Sequence, residues 1–470
     1  MPHSPNPNRK KILVKKLPLV AAALAVTALA LAGCSSDAGS PAASAAAPGP
    51  SALDGAGEVD ITLWHGLGGV NGTALQSLID QFNTQNAGKI HADAVFQGTY
   101  DDLLAKYTSS LKDGSNPTIM IAGDIASGYM RDVKRSMSPE DMAAANPDDL
   151  NLGDLRSAAK RYYSSDGKLM SVPMNTSTPT MWVNDTLLAQ AGIDASTLTS
   201  LDAVAHAAKQ VTQKTGQAGF VQAFDGWWFE QATAAAGALY CTPDNGRGSD
   251  GQPTAVGYDD PAQVAAFSTL AGIYASGAGL DVGTDGNAAL AAFTAGKAAI
   301  MFNSSGAAGG IVKSGMTGFS ARRYPLSGDA SSAGTIVGGS SMWLSATASD
   351  AQKVAGWKLE SFLASPASQE AFSQATGYIP INTAVDSSAT EKQFLASHPY
   401  GQVFLDQINS VPQVPATAGC LSGAMTGIRK SIVPAMQSAF SGKASMSDAL
   451  ASARAAANDA LQQYRDQLGG

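Results

Sequence analysis

The stretch from Val172 to Gly192 constrains the fold of this chain more than any other part of the sequence. It contains a polar turn, NTSTP at residues 175–179, in which Pro179 favours an extended residue before it. The apolar run Met181–Val183 follows and is typical of a buried strand, and an Asn-Asp pair then provides an N-cap for a helix. A strand that leaves one lobe through exposed hydroxyls and enters another predicts a hinge beside a cleft.

Strands alternate with amphipathic helices ahead of this stretch. Strands are predicted at residues 59–64, 90–95 and 118–121, with helices between them, and this alternation is typical of a mostly parallel α/β sheet. Ligands of such sheets bind at the carboxyl ends of the strands. A chain of 470 residues can bury two cores, and the alternation resumes after Gly192, so we expect two lobes.

The N-terminus is predicted to be a signal for export. Five basic residues between positions 9 and 16 precede an apolar run, Leu17–Ala32, that is shorter than the ~20 residues of a membrane span. LAGC follows and resembles a bacterial lipoprotein processing site, so residues 1–33 would be removed and Cys34 lipidated; a plain signal peptide with an incidental cysteine is the alternative. Residues 34–58 are rich in Ser, Ala, Pro and Gly, which predicts a flexible tether.

The net charge limits the classes of partner that this chain can have, and the cysteines indicate a possible disulfide. Without residues 1–33 the chain keeps 25 of its 30 Lys and Arg and all 38 Asp and Glu, a net charge of −13. An acidic body argues against nucleic acid as a partner, and it leaves membrane attachment to the lipid on Cys34. Cys241 and Cys420 would be exported together, so they form either a disulfide or two free thiols.

Catalytic motifs are missing from the sequence. It contains no HExxH, GxSxG, GxxxxGK[ST] or paired CxxC pattern, and its five histidines are scattered. His65 is the one histidine near a predicted strand end, and it lacks a visible partner for acid–base work. We therefore expect no enzymatic activity, no cofactor and no metal site.

Several residues at predicted strand ends could hold an anion. Ser177 and Ser304 offer hydroxyl donors, Gly339 offers an unobstructed backbone N–H, and Arg429 offers a planar guanidinium suited to phosphate. Each has a structural alternative, because serines in turns cap backbone groups and Arg429 could form a surface ion pair.

Other residues suit a polyol or a cationic group. Tyr100, Tyr378 and Asp124 could bind hydroxyl groups, although Tyr378 could also be a core residue. An aromatic cluster could cover an apolar or cationic group. Its members are Phe224, Trp227 and Trp228.

Motifs along the chain resemble one family. They are ITLWHGLGG, FQGTYDDLL, VPMNTSTPTMWVND, FNSSG, IVGGSSMWL, ATGYIPI and TGIRKSI, in this order from Ile61 to Ile432. From Val59 to Gly470 the chain resembles an extracellular solute-binding protein of an ABC importer, in the large family that carries sugars and within its sn-glycerol-3-phosphate-binding subgroup. The resemblance implies an α/β fold of the type II periplasmic-binding-protein kind, with two lobes and three crossing segments.

The resemblance also implies the ligand contacts. The guanidinium of Arg429, with Ser177, Ser304 and the Gly339 N–H, would cradle phosphate beside Tyr378. Asp124 and Tyr100 would bind glycerol hydroxyls. The matching positions are Tyr100, Asp124, Ser177, Ser304, Gly339, Tyr378 and Arg429.

Two departures from the subgroup widen the pocket. Asp124 stands where glycerol-3-phosphate binders carry a glutamate, and Phe224 stands where they stack a tryptophan, although Trp227 matches their second tryptophan. Members with a smaller residue at the tryptophan position accept glycerophosphocholine, whose trimethylammonium tail suits an aromatic wall and a carboxylate. We therefore rank a glycerophosphodiester first, glycerol 3-phosphate second and an oligosaccharide third. A secreted phosphodiester hydrolase and a surface adhesin are the remote alternatives.

These expectations define a domain plan. A monomer would close its lobes around the ligand and then dock on a membrane permease. The predicted first lobe takes residues 59–176 and 343–378, the second 180–337 and 382–470, and the crossings 177–179, 338–342 and 379–381.

Overall fold

Two five-stranded sheets organise the protein, described by a computed structural model over residues 46–248 and 251–469. The predicted signal segment and Cys34 lie outside the described residues. The strands within these ranges are β1 (Val59–His65), β2 (Ile90–Phe96), β3 (Ile119–Gly123), β4 (Ser164–Ser165), β5 (Lys168–Leu169), β6 (Val172–Ser177), β7 (Pro179–Asn184), β8 (Ala218–Val221), β9 (Cys241–Thr242), β10 (Ala255–Val256), β11 (Gly279–Leu280), β12 (Ala298–Ser304), β13 (Phe319–Arg323) and β14 (Gly338–Leu344).

Both sheets are mixed rather than mostly parallel as the alternation predicted. The first has the order β2-β1-β3-β14-β6, in which β1 runs parallel to β2 and β3 while β14 runs antiparallel to β3 and β6. The second has the order β11-β8-β12-β7-β13, with β8 parallel to its neighbours and β7 antiparallel to its own. The antiparallel pairs arise where the chain returns from one sheet to the other. We call the parts built on these sheets the first and the second lobe.

Helices cover the two sheets, and many begin at side-chain caps that the sequence supplies. Asn184 accepts a hydrogen bond from Leu187 N at 3.0 Å, which is the cap expected in the central stretch. No helix in the described part of the chain is long and apolar enough to cross a membrane. The helices are α1 (Gly69–Gln85), α2 (Tyr100–Asp113), α3 (Ser127–Val133), α4 (Pro139–Ala145), α5 (Ser157–Tyr162), α6 (Asp185–Ala191), α7 (Leu201–Thr215), α8 (Gly226–Ala235), α9 (Pro261–Ala275), α10 (Gly286–Thr294), α11 (Ala308–Lys313), α12 (Asp350–Leu363), α13 (Pro366–Thr376), α14 (Ala389–Ser397), α15 (Tyr400–Ser410), α16 (Met425–Phe440) and α17 (Met446–Gly469).

The chain passes from the first sheet to the second within one residue. β6 ends at Ser177 and β7 begins at Pro179, and every residue of both strands is buried. The turn is therefore enclosed, not exposed as the sequence suggested. The reason is that Gln407 of α15 lies over it and donates a hydrogen bond to Thr178 Oγ1 at 2.5 Å.

Two segments differ from the predicted domain plan. Residues 338–342, predicted as a crossing, belong to β14 of the first sheet, so the chain crosses back before Gly338. Residues 46–58, predicted as tether, include a short 3-10 helix, Pro50–Leu53, whose Leu53 packs against the apolar core. Asn146 also donates a hydrogen bond to Pro48 O at 3.1 Å, which holds this segment against the first lobe.

Candidate ligand-binding site

A cavity of about 640 Å³ lies between the two lobes. The first lobe contributes residues that follow β3 and end β6, and the second contributes α8, the end of β12 and α16. The nine residues singled out from the sequence all line this one cavity. They are Tyr100, Asp124, Ser177, Phe224, Trp227, Ser304, Gly339, Tyr378 and Arg429.

Further residues line the cavity that the sequence had not singled out as contacts. Several are chain neighbours of predicted ones: Thr99 and Asp101 flank Tyr100, and Lys430 follows Arg429. Including the residues on either side of each predicted contact would have identified these three residues. His65 is buried and is not among the lining residues, and burial lowers its pKa.

Arg429 forms ion pairs with two carboxylates. Its Nη2 donates to Asp124 Oδ2 at 2.8 Å and to Glu230 Oε2 at 2.6 Å, and its Nε donates to Glu230 Oε2 at 3.1 Å. Burial opposes the charge of Arg429, but the two carboxylates outweigh burial and raise its pKa well above the usual value. The guanidinium is therefore a buried, permanently charged group, neither a free fork nor a surface ion pair.

Glu230 is the residue of this ion-pair arrangement that the sequence did not indicate. It is fully buried in α8, and its second oxygen, Oε1, accepts a hydrogen bond from Cys420 N at 3.1 Å. Cys420 is joined to Cys241 by a disulfide, which replaces the two alternatives left open for these cysteines. The available signal was a lone charge in GWWFEQATAA, an otherwise uncharged helix.

Two tyrosines border the carboxylate of Asp124. Burial raises the pKa of Tyr378 to about 12, with a smaller contribution from the nearby Asp124 charge. The pKa of Tyr100 is raised further, first by burial and then by the neighbouring Tyr378 and Asp124. Both phenols therefore stay protonated near neutral pH. The Tyr100 hydroxyl is buried and makes no hydrogen bond within the described residues.

An aromatic wall closes the second-lobe side of the cavity. The rings of Trp227 and Trp228 meet edge to face with their centroids 4.8 Å apart. Phe224 is held from behind by Tyr274 and Phe440, at centroid distances of 5.3 and 5.4 Å. Phe224 and Trp228 are almost completely buried and Trp227 is half-buried, so Trp227 is the ring of this wall that can offer a π face to an apolar or cationic group.

Close backbone approach distinguishes the strand ends. Gly339 has φ of +120°, and a Cβ there would overlap the carbonyl oxygen of Asn175 on the adjacent β6. Ser304 caps the turn after β12, with its Oγ accepting a hydrogen bond from Gly306 N at 3.1 Å, so its own proton is free to point elsewhere. Ser177 lines the cavity at the end of β6.

The charges around the cavity do not favour a simple anion. Three carboxylates line it, those of Asp101, Asp124 and Asp225, and Glu230 lies behind Arg429. Two cations, Arg429 and Lys430, oppose these four carboxylates, which leaves a net charge of −2. No group of three or more potential metal ligands occurs within the described ranges. An anion that binds at Arg429 would therefore enter a site with a formal excess of negative charge.

Relatives of known sequence share most of the chain. The sn-glycerol-3-phosphate-binding periplasmic protein UgpB of Pectobacterium atrosepticum is 26% identical over 411 residues, which cover 86% of this chain and 92% of the relative. The protein of the same name from Agrobacterium fabrum is 28% identical over 366 residues, covering 77% of this chain and 83% of the relative.

Solved structures share the fold. UgpB of Mycobacterium tuberculosis in complex with glycerophosphocholine superposes with a TM-score of 0.73 at 21% identity, covering 87% of this chain and 99% of that one. The cyclic alpha-maltosyl-1,6-maltose binding protein of Arthrobacter globiformis gives 0.68 at 22% identity, covering 87% and 100%. These likenesses confirm the type II periplasmic-binding-protein fold that the resemblance implied.

A family model described as bacterial extracellular solute-binding protein matches residues 77–396, which is more than half of the chain. The relatives carry the name of the glycerol-3-phosphate-binding subgroup that the motifs indicated. The chain therefore belongs to the bacterial extracellular solute-binding proteins, the binding components of ABC importers.

Proposed function

We propose that this protein captures a glycerophosphodiester, such as glycerophosphocholine, for its importer. The observation that carries the proposal is the presence of a buried arginine, a carboxylate and an aromatic ring in the lining of one cavity. Arg429, which is paired with Asp124, lines the same cavity as the hydroxyls of Ser177 and Ser304 and the ring of Trp227. A phosphodiester that carries a cationic tail provides a partner for each of these groups: its phosphate suits the arginine, and its cation suits the carboxylate and the aromatic ring.

The buried ion pair suggests how such a ligand would bind. Asp124 belongs to the first lobe and Arg429 to the second, and they contact each other at 2.8 Å. A phosphate would take the place of Asp124 at Arg429, and the released carboxylate would then face the cationic tail. Closure of the lobes around the ligand would complete the site without covalent chemistry.

Related ligands remain alternatives. The named relatives bind sn-glycerol 3-phosphate, which supports a phosphomonoester, and the maltose-type structural neighbour leaves an oligosaccharide open. A net charge of −2 around the cavity argues against a dianion. An oligosaccharide site would also be expected to use aromatic rings that stack on the sugars, not an arginine that is paired with two acids.

The extracellular family supports a site of action outside the cytoplasm. We propose that the chain acts there as a monomer, anchored through a lipid on Cys34 to the outer face of the cytoplasmic membrane, and delivers its ligand to the permease. Metabolic labelling with a palmitate analogue tests the anchor, because a Cys34→Ser chain should lose the label.

Calorimetric titration of the mature chain tests the ligand. We expect glycerophosphocholine to bind more tightly than glycerol 3-phosphate, and maltose not to bind. Arg429→Gln should weaken phosphoester binding by at least ~2 kcal/mol, because it removes a charged hydrogen-bond donor. Arg323→Gln is the matched control, since Arg323 is exposed and contacts Ser410 away from the cavity. Binding of maltose alone would overturn the proposal.

A further inference from the structure

Glu230 is fixed in a way that Asp124 is not. Its side chain is fully enclosed, and it accepts hydrogen bonds from Arg429 on one oxygen and from Cys420 N on the other. The disulfide between Cys420 and Cys241 holds that backbone in place. Asp124, in contrast, lines the cavity and reaches Arg429 through one oxygen. A ligand can therefore displace Asp124 from Arg429, but it cannot displace Glu230.

Because Glu230 stays paired with Arg429, the net positive charge that Arg429 presents to a ligand is reduced. Its Nε and Nη2 both donate to Glu230, and no hydrogen bond within the described residues uses its Nη1. A ligand anion thus meets a guanidinium whose charge is already balanced by one permanent carboxylate. In a buried site each further unbalanced charge carries a large desolvation penalty.

Phosphate esters differ in the charge that they bring. A phosphodiester keeps one negative charge across the neutral range, whereas a phosphomonoester has a second pKa near about 6 and is mostly dianionic at pH 7. A monoanion with a cationic tail replaces Asp124 at Arg429 and gives Asp124 a new partner, so the balance of charge is kept. A dianion without a cation adds two negative charges and leaves Asp124 unpaired.

We propose that Glu230 determines which phosphate ester the site selects: by balancing the charge of Arg429 permanently, it favours a monoanionic phosphodiester in a zwitterion over a dianionic phosphomonoester. The inference rests on the proposed function, because it assigns the ester phosphate to Arg429. It makes Glu230 a specificity-determining residue that does not itself line the cavity.

The first test is the pH dependence of binding to the unmodified mature chain. Dissociation constants for glycerophosphocholine and glycerol 3-phosphate are measured between pH 5 and 8. Glycerol 3-phosphate should bind at least tenfold more tightly at pH 5 than at pH 8, because it gains a proton, while glycerophosphocholine should change little.

The tyrosines and arginines around Glu230 do not contribute to this pH dependence. Tyr162, Tyr240 and Tyr258 face it, and burial raises the pKa of each. Arg247 is also nearby, and burial lowers its pKa only to about 10. Together with Arg429, whose pKa is raised, none of them changes charge between pH 5 and 8.

The second test replaces the residue. Glu230→Gln should shift the ratio of the two affinities at pH 8 at least tenfold toward glycerol 3-phosphate, and should flatten the pH dependence of that ligand. Glu391→Gln is the matched control, because Glu391 is another buried glutamate, bonded to Gln374 and absent from the cavity. Glycerophosphoglycerol is a phosphodiester without a cationic group, so it tests the effect of the phosphate charge without that of the tail. Its affinity should change as little with pH as that of glycerophosphocholine.

The outcomes separate the two proposals. If neither ester binds the unmodified chain, the proposed function fails and this inference fails with it. If both esters bind but their affinity ratio does not depend on pH, the inference alone is overturned, even if the Glu230→Gln chain does not fold. An unchanged ratio in a folded Glu230→Gln chain overturns it as well.

Discussion

Arg429 stabilises the folded chain, because its removal leaves a buried acid without a partner. Arg429→Ala should lower the free energy of unfolding by about 3–5 kcal/mol, the range found when one member of a buried ion pair is lost. Adding Glu230→Gln to that variant should recover part of the loss, because the acid left behind, fully buried in α8, is then neutral. Chemical denaturation of the two variants and the unmodified chain measures both effects.

Lys430 provides the matched control for this prediction. It pairs with Asp101 at 3.1 Å, but its side chain is 65% exposed. Exposed pairs contribute little, so Lys430→Ala should change the free energy of unfolding by no more than about 1 kcal/mol. Equal stability of the Arg429→Ala and Lys430→Ala chains would contradict a structural role for the buried pair.

Which residues meet at the site could be predicted, but not what they contact. Tyr100, Asp124 and Ser304 follow strands or end them, and strand ends converge in any α/β sheet. The pairing of Arg429 with Glu230 could not be predicted, because 199 residues separate them and no local pattern links the two positions. Long-range ion pairs depend on how α8 and α16 pack, which the sequence encodes only through the complete fold.

Helix α12 contains a buried acid that ties stability to pH. Burial raises the pKa of Glu360 well above the usual value, so the folded chain keeps this proton while the unfolded chain releases it above about pH 4.5. The stability associated with the neutral acid is fully present below pH 4.5 and is lost as pH rises toward the folded pKa. Glu360→Gln cannot ionise, so its unfolding free energy relative to the unmodified chain should be higher at pH 7 than at pH 4.

The expected gain between the two pH values is about 1.4 kcal/mol for each pH unit over which the folded group keeps its proton. Urea denaturation of both chains at pH 4 and pH 7 measures this gain. Any cost of burying the amide is the same at both pH values, so it cancels when the two differences in unfolding free energy are compared. Glu58→Gln is the control, because Glu58 is exposed and accepts a hydrogen bond from Gly88 N at 3.1 Å. A difference that is the same at both pH values would show that folding does not raise the pKa of Glu360.

The boundaries of the strands were hardest to predict at glycines, because glycine is compatible both with a hinge and with a tightly packed strand. Gly338 and Gly339 suggested a crossing with close backbone approach, and only the close approach was right, because Gly339 presses against Asn175 within a continuous sheet. Glycine marks both hinges and tightly packed strands. The turn before Pro179 was also placed correctly, but its burial depends on α15, an element more than 200 residues further along the chain.

At the scale of the whole molecule, the ion pairs Asp124–Arg429 and Asp101–Lys430 each join the first lobe to the second. Asp124–Arg429 is buried at 10% and 9% side-chain exposure, whereas Asp101–Lys430 is exposed at 39% and 65%. Water and salt screen the exposed pair but reach the buried one far less. The buried pair is therefore the contact expected to favour closed lobes before ligand arrives.

Small-angle X-ray scattering of the ligand-free mature chain tests this role. Asp124→Asn removes the charge that meets Arg429 and should increase the radius of gyration, because the open arrangement becomes more populated. Asp101→Asn is the matched control on the exposed pair and should leave the radius unchanged. The increase should persist at high salt, since screening does not replace a buried contact. If the two variants scatter alike, the lobes are held together by their packing and not by the Asp124–Arg429 pair.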